Sequence, residues 1–208
     1  MNDTFEPVLS DAAYCGRVGE IVRLLEPYTE TDSVVILGQL LTAFGNIIGR
    51  RPHFMVEDDY HALNLYMLFV HDRQLGFTEN VWYYTYYILC GLDDAWEDMV
   101  TDTGHLLWEL EMRGDAEIEP QRQHGIVGQR LLLYSDFAND LQRIVKTGRV
   151  LSSLIVRAWN GGTVHLLTEK GRIRVIDLHL SIVGHITRTD LLTYVPGLVP
   201  PFIIGDIT

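Results

Sequence analysis

Residues Asn64 to Asn80 read N-L-Y-M-L-F-V-H-D-R-Q-L-G-F-T-E-N. Asn64 to Val70 is a nearly continuous apolar run, the composition of a central strand covered on both faces rather than one alternating between core and water. A polar loop follows from His71 to Asn80, and an aromatic helix is predicted over Val81 to Leu92. Strand, loop and helix in this order can present backbone N–H groups to a phosphate. The side chains that such chemistry needs are missing, because G-x-x-x-x-G-K-[ST] occurs nowhere in the 208 residues.

Upstream, Ser10-Asp11 starts a helix with the apolar face Val18, Ile21, Val22, Leu24 and Leu25, and Pro27 ends it. Thr31 or Asp32 begins the next helix. Its wide apolar face is Val34, Val35, Leu37, Leu40, Leu41, Phe44, Ile47 and Ile48, with Gly45 and Gly49 as punctuation and Gly38 as a propensity cost. His53 to Val56 reads as a short strand and Glu57-Asp58-Asp59 as a turn.

Downstream, Arg130 to Ser135 is a second buried strand with Asp136 at its carboxyl end. Phe137 to Thr147 is helical up to Gly148, and Leu151 to Trp159 is a further helix. Thr163 to Thr168 and Arg172 to Ile176 form a hairpin around Glu169-Lys170-Gly171. His179 to Gly184 is a third central strand, and Thr187 or Thr189 caps a short helix through Leu192. The proline-rich tail is an edge strand or an extended arm. Strands alternating with helices argue for an α/β fold with a mainly parallel sheet flanked by helices. Residues 1–60 form an N-terminal helical layer on a core of residues 61–208, in one compact unit. Ligands of such sheets sit beyond the carboxyl ends of the strands. His71 to Asn80, Asp136 and His185 to Thr187 all follow strand ends and are expected to converge there.

The net charge is −12 and the pI about 5.0, so the average field repels nucleic acid. Asp93 to Glu119 carries ten acidic residues and a single base, Arg113, whereas Gln121 to Arg174 carries nine bases and three acids. The acidic segment reads as a solvated face or as a surface for a basic partner. The helix with Trp82, Tyr83, Tyr84, Tyr86 and Tyr87 has more aromatics than one face can bury, which leaves some for the surface or a contact. Trp82, Tyr83, Tyr86, Tyr87, Asp93, Asp94, Glu97 and Asp98 are therefore the candidate partner-binding residues. Two cysteines give no disulfide framework. No signal peptide and no apolar run of about 20 residues is visible, which implies a soluble cytoplasmic protein without membrane contact. His179 with His185, and His61 with His71 and Asp72, have no zinc-ligand spacing, so no metal site is expected. Ser10, Ser135 and Ser181 lack a G-x-S-x-G context.

Leu40 to Tyr66 (L-L-T-A-F-G-N-I-I-G-R-R-P-H-F-M-V-E-D-D-Y-H-A-L-N-L-Y), Leu151 to Thr168 (L-S-S-L-I-V-R-A-W-N-G-G-T-V-H-L-L-T) and His179 to Leu192 (H-L-S-I-V-G-H-I-T-R-T-D-L-L) carry a resemblance across much of the chain. In these stretches it resembles the helicase-like P-loop domains of unknown function in plasmid and phage replication proteins. The resemblance implies a RecA-like fold, ATP hydrolysis with magnesium, subunit rings and a link to DNA unwinding. The departures matter as much. The family's loop, G-x-[ST]-x-x-G-R-K-G-[TS], stands here as H-D-R-Q-L-G-F-T-E-N, with only Gly76 kept. The resemblance puts Thr78 at the phosphate-binding lysine, Glu79 at the next glycine and Asn80 at the magnesium-binding hydroxyl. The family's E-x-E-F becomes Y-S-D-F, so Tyr134 replaces one carboxylate and Asp136 keeps the other. His185 and Thr187 match a sensor-like strand end. The family's arginine-bearing continuation is not matched before Thr208.

Arg73, Gly76, Thr78, Glu79, Asn80, Asp136, His185 and Thr187 thus outline a degenerate nucleotide site. The expectation is a truncated, non-catalytic relative without a cofactor, encoded by a mobile element and acting as a regulator or inhibitor. Its partner would be an intact ATPase homologue or a host defence protein, with homo-oligomers allowed and nucleic acid disfavoured. The alternative is a nucleotide- or DNA-binding ATPase domain of plasmid or phage replication, using ATP and magnesium, with Arg73 and Arg130 supplying charge.

Overall fold

The computed structural model describes residues 9–72, 78–91, 100–101, 126–127, 130–139, 141–142, 155–161, 163–168, 171–176, 178–194 and 203–207. Helices α1 (Gly16–Leu25) and α2 (Ser33–Ile48) open the fold. A hairpin of β1 (His53–Val56) and β2 (Asp59–Ala62) comes next, then β3 (Tyr66–His71) and α3 (Thr78–Cys90). Beyond them lie β4 (Val100–Thr101), β5 (Ile126–Val127), β6 (Arg130–Asp136), β7 (Val164–Thr168), β8 (Gly171–Ile176) and β9 (His179–Thr187). Helix α4 (Arg188–Tyr194) and β10 (Ile203–Ile207) complete the described elements. Residues 137–139, 141–142 and 155–159 are also helical.

The fold is mixed α/β. Among the described residues, five strands form one sheet in the order β10-β3-β9-β6-β4, and all four neighbouring pairs are parallel. The tail expected as an edge strand or an arm is an edge strand, with Gly205 opposite Phe69. A hairpin of β7 and β8 stands apart, in the expected place, and β5 joins it in parallel.

The apolar run of β3 is explained by what lies on either side of it. Tyr66, Leu68 and Val70 pack with Leu180, Ile182 and Ile186 of β9 against Phe137, Leu141, Ile155 and Ala158. On the other face, Phe69 and Val183 meet Val35, Ile36, Leu40, Ala43 and Ile47 of α2 and Leu89 of α3. Alternate residues of one strand thus serve two cores, and neither face tolerates polar residues without partners.

The Asp32 carboxylate caps α2 by accepting from the Val34 N–H at 2.8 Å. Val35, Leu37, Leu40 and Ile47 of its expected apolar face are buried, but the rest of that face does not all follow. Leu41 and Phe44 are 41% and 45% exposed, whereas Gln39, Thr42 and Asn46 are buried. These polar side chains form a stripe that matches β9. Asn46 donates to the His179 carbonyl at 3.4 Å and to Ser181 Oγ at 3.3 Å. His179 Nε2 donates to the Gly45 carbonyl at 2.9 Å, so this imidazole holds a hydrogen on Nε2. Gly45 does not interrupt the helix; a Cβ there would stand 2.0 Å from the Leu63 carbonyl oxygen. Glycine is used for close approach, and Gly49, at φ 70°, ends the helix as expected.

The turn at Glu57 is tighter than expected, and Asp59 already belongs to β2. His53 stacks on Tyr60 at 4.2 Å and Phe54 on His61 at 5.1 Å, cross-strand pairs that support a hairpin with no third strand among the described residues. No described helix is long and apolar enough to cross a membrane.

Candidate functional site at the carboxyl edge of the sheet

Parallel register brings the strand ends level. His71 lies opposite Thr187, and Asp136 lies opposite His185. The strand ends singled out in the sequence therefore share one edge. Arg130, by contrast, starts β6 opposite His179, at the other end of the sheet. Thr78, Glu79 and Asn80 form the first turn of α3, directly after the loop. Arg73 and Gly76 lie outside the described residues, as do Asp93, Asp94, Glu97 and Asp98.

His71 and His185 are both buried, with ring centroids 6.3 Å apart. The His185 ring stacks on Phe69 at 5.3 Å. Thr85 Oγ1 of α3 donates to Gln39 Oε1 at 3.4 Å, which turns the Gln39 amide nitrogen toward His185 Nε2 at 3.5 Å. In that arrangement Nε2 accepts, and the imidazole carries its hydrogen on Nδ1. Burial, and after it the neighbouring His71, lower the His185 pKa to about 3. At neutral pH His185 is an uncharged group tied to α2 and α3 rather than a cation facing the edge.

Thr187 is committed as well. Its hydroxyl accepts from the Asp190 N–H at 3.0 Å and donates to Asp190 Oδ2 at 2.6 Å. This reciprocal cap starts α4, as the sequence suggested for Thr187. The next residue, Arg188, brings a cation to the edge that the sequence did not single out. Its Nε donates to Asp72 Oδ1 at 2.8 Å, joining the ends of β9 and β3. The two residues are 116 positions apart, so no local pattern announces the pair. Gln39 did leave a signal: Gln39, Thr42 and Asn46 recur at helical spacing inside an apolar helix.

The aromatics of α3 divide by helical period. Trp82 and Tyr86 pack toward the core, whereas Tyr83 and Tyr87 are 62% and 70% exposed. Of these four candidates, the last two present their rings to solvent. Among the described residues, no group of three or more His, Cys, Asp or Glu side chains is placed to hold a metal ion. His61 is in the β1–β2 hairpin, stacked on Phe54, and His71 is at the sheet edge.

No protein-family model matches the chain, and no curated protein matches it.

Proposed function

We propose that the protein is a non-catalytic relative of replication-associated P-loop ATPases, with a RecA-like core whose phosphate site is degenerate. On this reading it is a cytoplasmic, mobile-element product that regulates or inhibits by binding another protein. The partner would be an intact ATPase homologue or a host defence protein. The strand order supports such a core: β9 lies between the loop strand β3 and β6, which ends in Asp136.

The observation that carries the proposal is the first turn of α3. A helix start after a strand and loop favours an anion through its free N–H groups. Here that turn reads Thr78-Glu79-Asn80, with a carboxylate and no ammonium group. A carboxylate about 4 Å from a phosphate oxygen is repelled by about 4 kcal/mol at an effective dielectric of 20. Neutral His185 offers no compensating charge, and Arg188 is paired with Asp72.

Titration calorimetry with millimolar ATP and magnesium tests the reading, with no binding heat as the expected result. Binding accompanied by hydrolysis that Asp136→Ala abolishes would overturn it. Capture from the host cell with the tagged chain would then separate a homologous ATPase from a defence protein as the partner.

A further inference from the structure

Away from the sheet edge, the 3-10 turn Glu26–Tyr28 and the residues up to Thr31 face the outer side of α3. Between them lies an open cleft of about 560 Å³, lined by residues 27–31 with Tyr83 and Tyr84. This volume falls in the range of sites that take a small ligand or a few peptide side chains, about 300–1,000 Å³. Tyr28, at 76% exposure, stands at one wall. The other wall is a run of rings. Tyr83 meets Tyr84 edge-on at 6.2 Å, and it stacks with Tyr87 at 6.3 Å with planes 19° apart.

The polar groups at this corner have one sign. Glu30 lines the cleft and forms no ion pair among the described residues. Glu26 accepts from the Ser33 hydroxyl, and Asp32 caps α2 beside it. The phenol of Tyr14 registers the same field: burial, then Asp32, Glu26 and Asp11, hold its pKa above the ordinary value. Among the described residues, no lysine or arginine lines the cleft. In sequence, α3 is followed within eight residues by Asp93, Asp94, Glu97 and Asp98.

Exposed π faces beside a carboxylate with no ion pair among the described residues select a cation. An acidic segment or a nucleic-acid backbone would be repelled. A purely apolar segment would desolvate Glu30 without giving it a partner. Between the two basic side chains, arginine fits better. Its planar guanidinium stacks on a ring and still pairs with a carboxylate, and it sheds water more readily than an ammonium group.

We propose that this cleft docks an arginine-bearing extended segment of a partner protein, with guanidinium groups stacked on Tyr28 and Tyr83 and paired with Glu30. The proposal rests on the reading above that the protein works through a protein partner, and it names the chemistry of that contact.

The test uses the full chain and three fluorescein-labelled nine-residue peptides, in which glycine alternates with arginine, lysine or glutamate. Anisotropy at low salt is expected to show saturable binding of the arginine peptide, weaker binding of the lysine peptide and none of the glutamate peptide. The Tyr28→Ala/Tyr83→Ala double variant keeps the net charge and alters only exposed rings. It is expected to bind the arginine peptide about tenfold more weakly, as for two partly solvated cation–π contacts. Glu30→Gln is expected to weaken binding about threefold, in line with an exposed ion pair. Unchanged affinity in the double variant would place the peptide elsewhere on an acidic surface and overturn the proposal. So would equal affinity for the arginine and lysine peptides, or the absence of saturable binding. ATP turnover would sink the inert-scaffold reading and leave the cleft standing; peptide failure with no ATP binding would do the reverse.

Discussion

The buried imidazole of His185 makes the stability of this protein depend on pH in a direction the structure fixes. Its pKa is lowered from 6.5 to about 3 in the folded chain, chiefly by burial and then by His71. Between these values the unfolded chain binds a proton that the folded chain refuses. Stability is therefore fully present above pH 6.5 and is lost as pH falls toward 3. Integrating the linkage relation, the loss from this one group between pH 7 and pH 5 is about 2 kcal/mol, and about 4 kcal/mol by pH 3. Against a total of about 5–15 kcal/mol for a typical domain, the first figure alone is large.

The informative perturbation is His185→Gln, which keeps an acceptor for the Gln39 amide and removes the titrating ring. Urea unfolding of both proteins at pH 7, 6 and 5 is the assay. Other titrating groups contribute to both curves and cancel in the difference. The wild type is expected to lose about 2 kcal/mol more than the variant between pH 7 and 5. Parallel stability–pH curves, or a wild type that gains on the variant as pH falls, would refute the reasoning.

Gly45→Ala places a methyl 2.0 Å from the Leu63 carbonyl oxygen, and α2 must move off the backbone that leads into β3 to fit it. The expected loss is about 2 kcal/mol or more, read by urea denaturation. Thr187→Ala removes the reciprocal cap of α4 and is expected to cost about 1 kcal/mol, measured in the same way. Asp72→Asn breaks the ion pair with Arg188, whose side chains are 44% and 62% exposed. The change should stay below about 1 kcal/mol and shrink further in molar salt.

The central strands were legible because they obey a simple rule: a strand buried on both faces must be apolar throughout. Tyr66 to Val70 and the apolar members of β9 meet it, and their parallel register follows from the alternation with helices. Val35, Leu37, Leu40 and Ile47 of α2 are buried as expected, but its facing side was legible only in part, for the opposite reason. Gln39 and Asn46 are buried because they have partners on β9, and a helix read alone does not reveal what stands across from it. Once those polar residues face inward, Leu41 and Phe44 turn outward whatever their hydropathy. Strand β2 was missed because Asp59-Tyr60-His61-Ala62 is only four residues long and begins on an acidic turn; stacking on β1 supports it. Within the candidate site, the strand ends could be placed from sequence, but the commitments of their side chains could not. Thr187 is held by its own helix and His185 by two others, and only coordinates show the second.

Strand β10 carries a consequence for how the chain is made. Residues 203–207 lie beside residues 67–71, so synthesis must pass residue 207 before β3 has neighbours on both sides. Until then the nascent sheet offers a bare, strongly apolar border, the kind of surface that captures stray strands and recruits chaperones. A ribosome-stalled chain released before residue 203 should accordingly be prone to aggregation, whereas one extended past residue 207 should resist it.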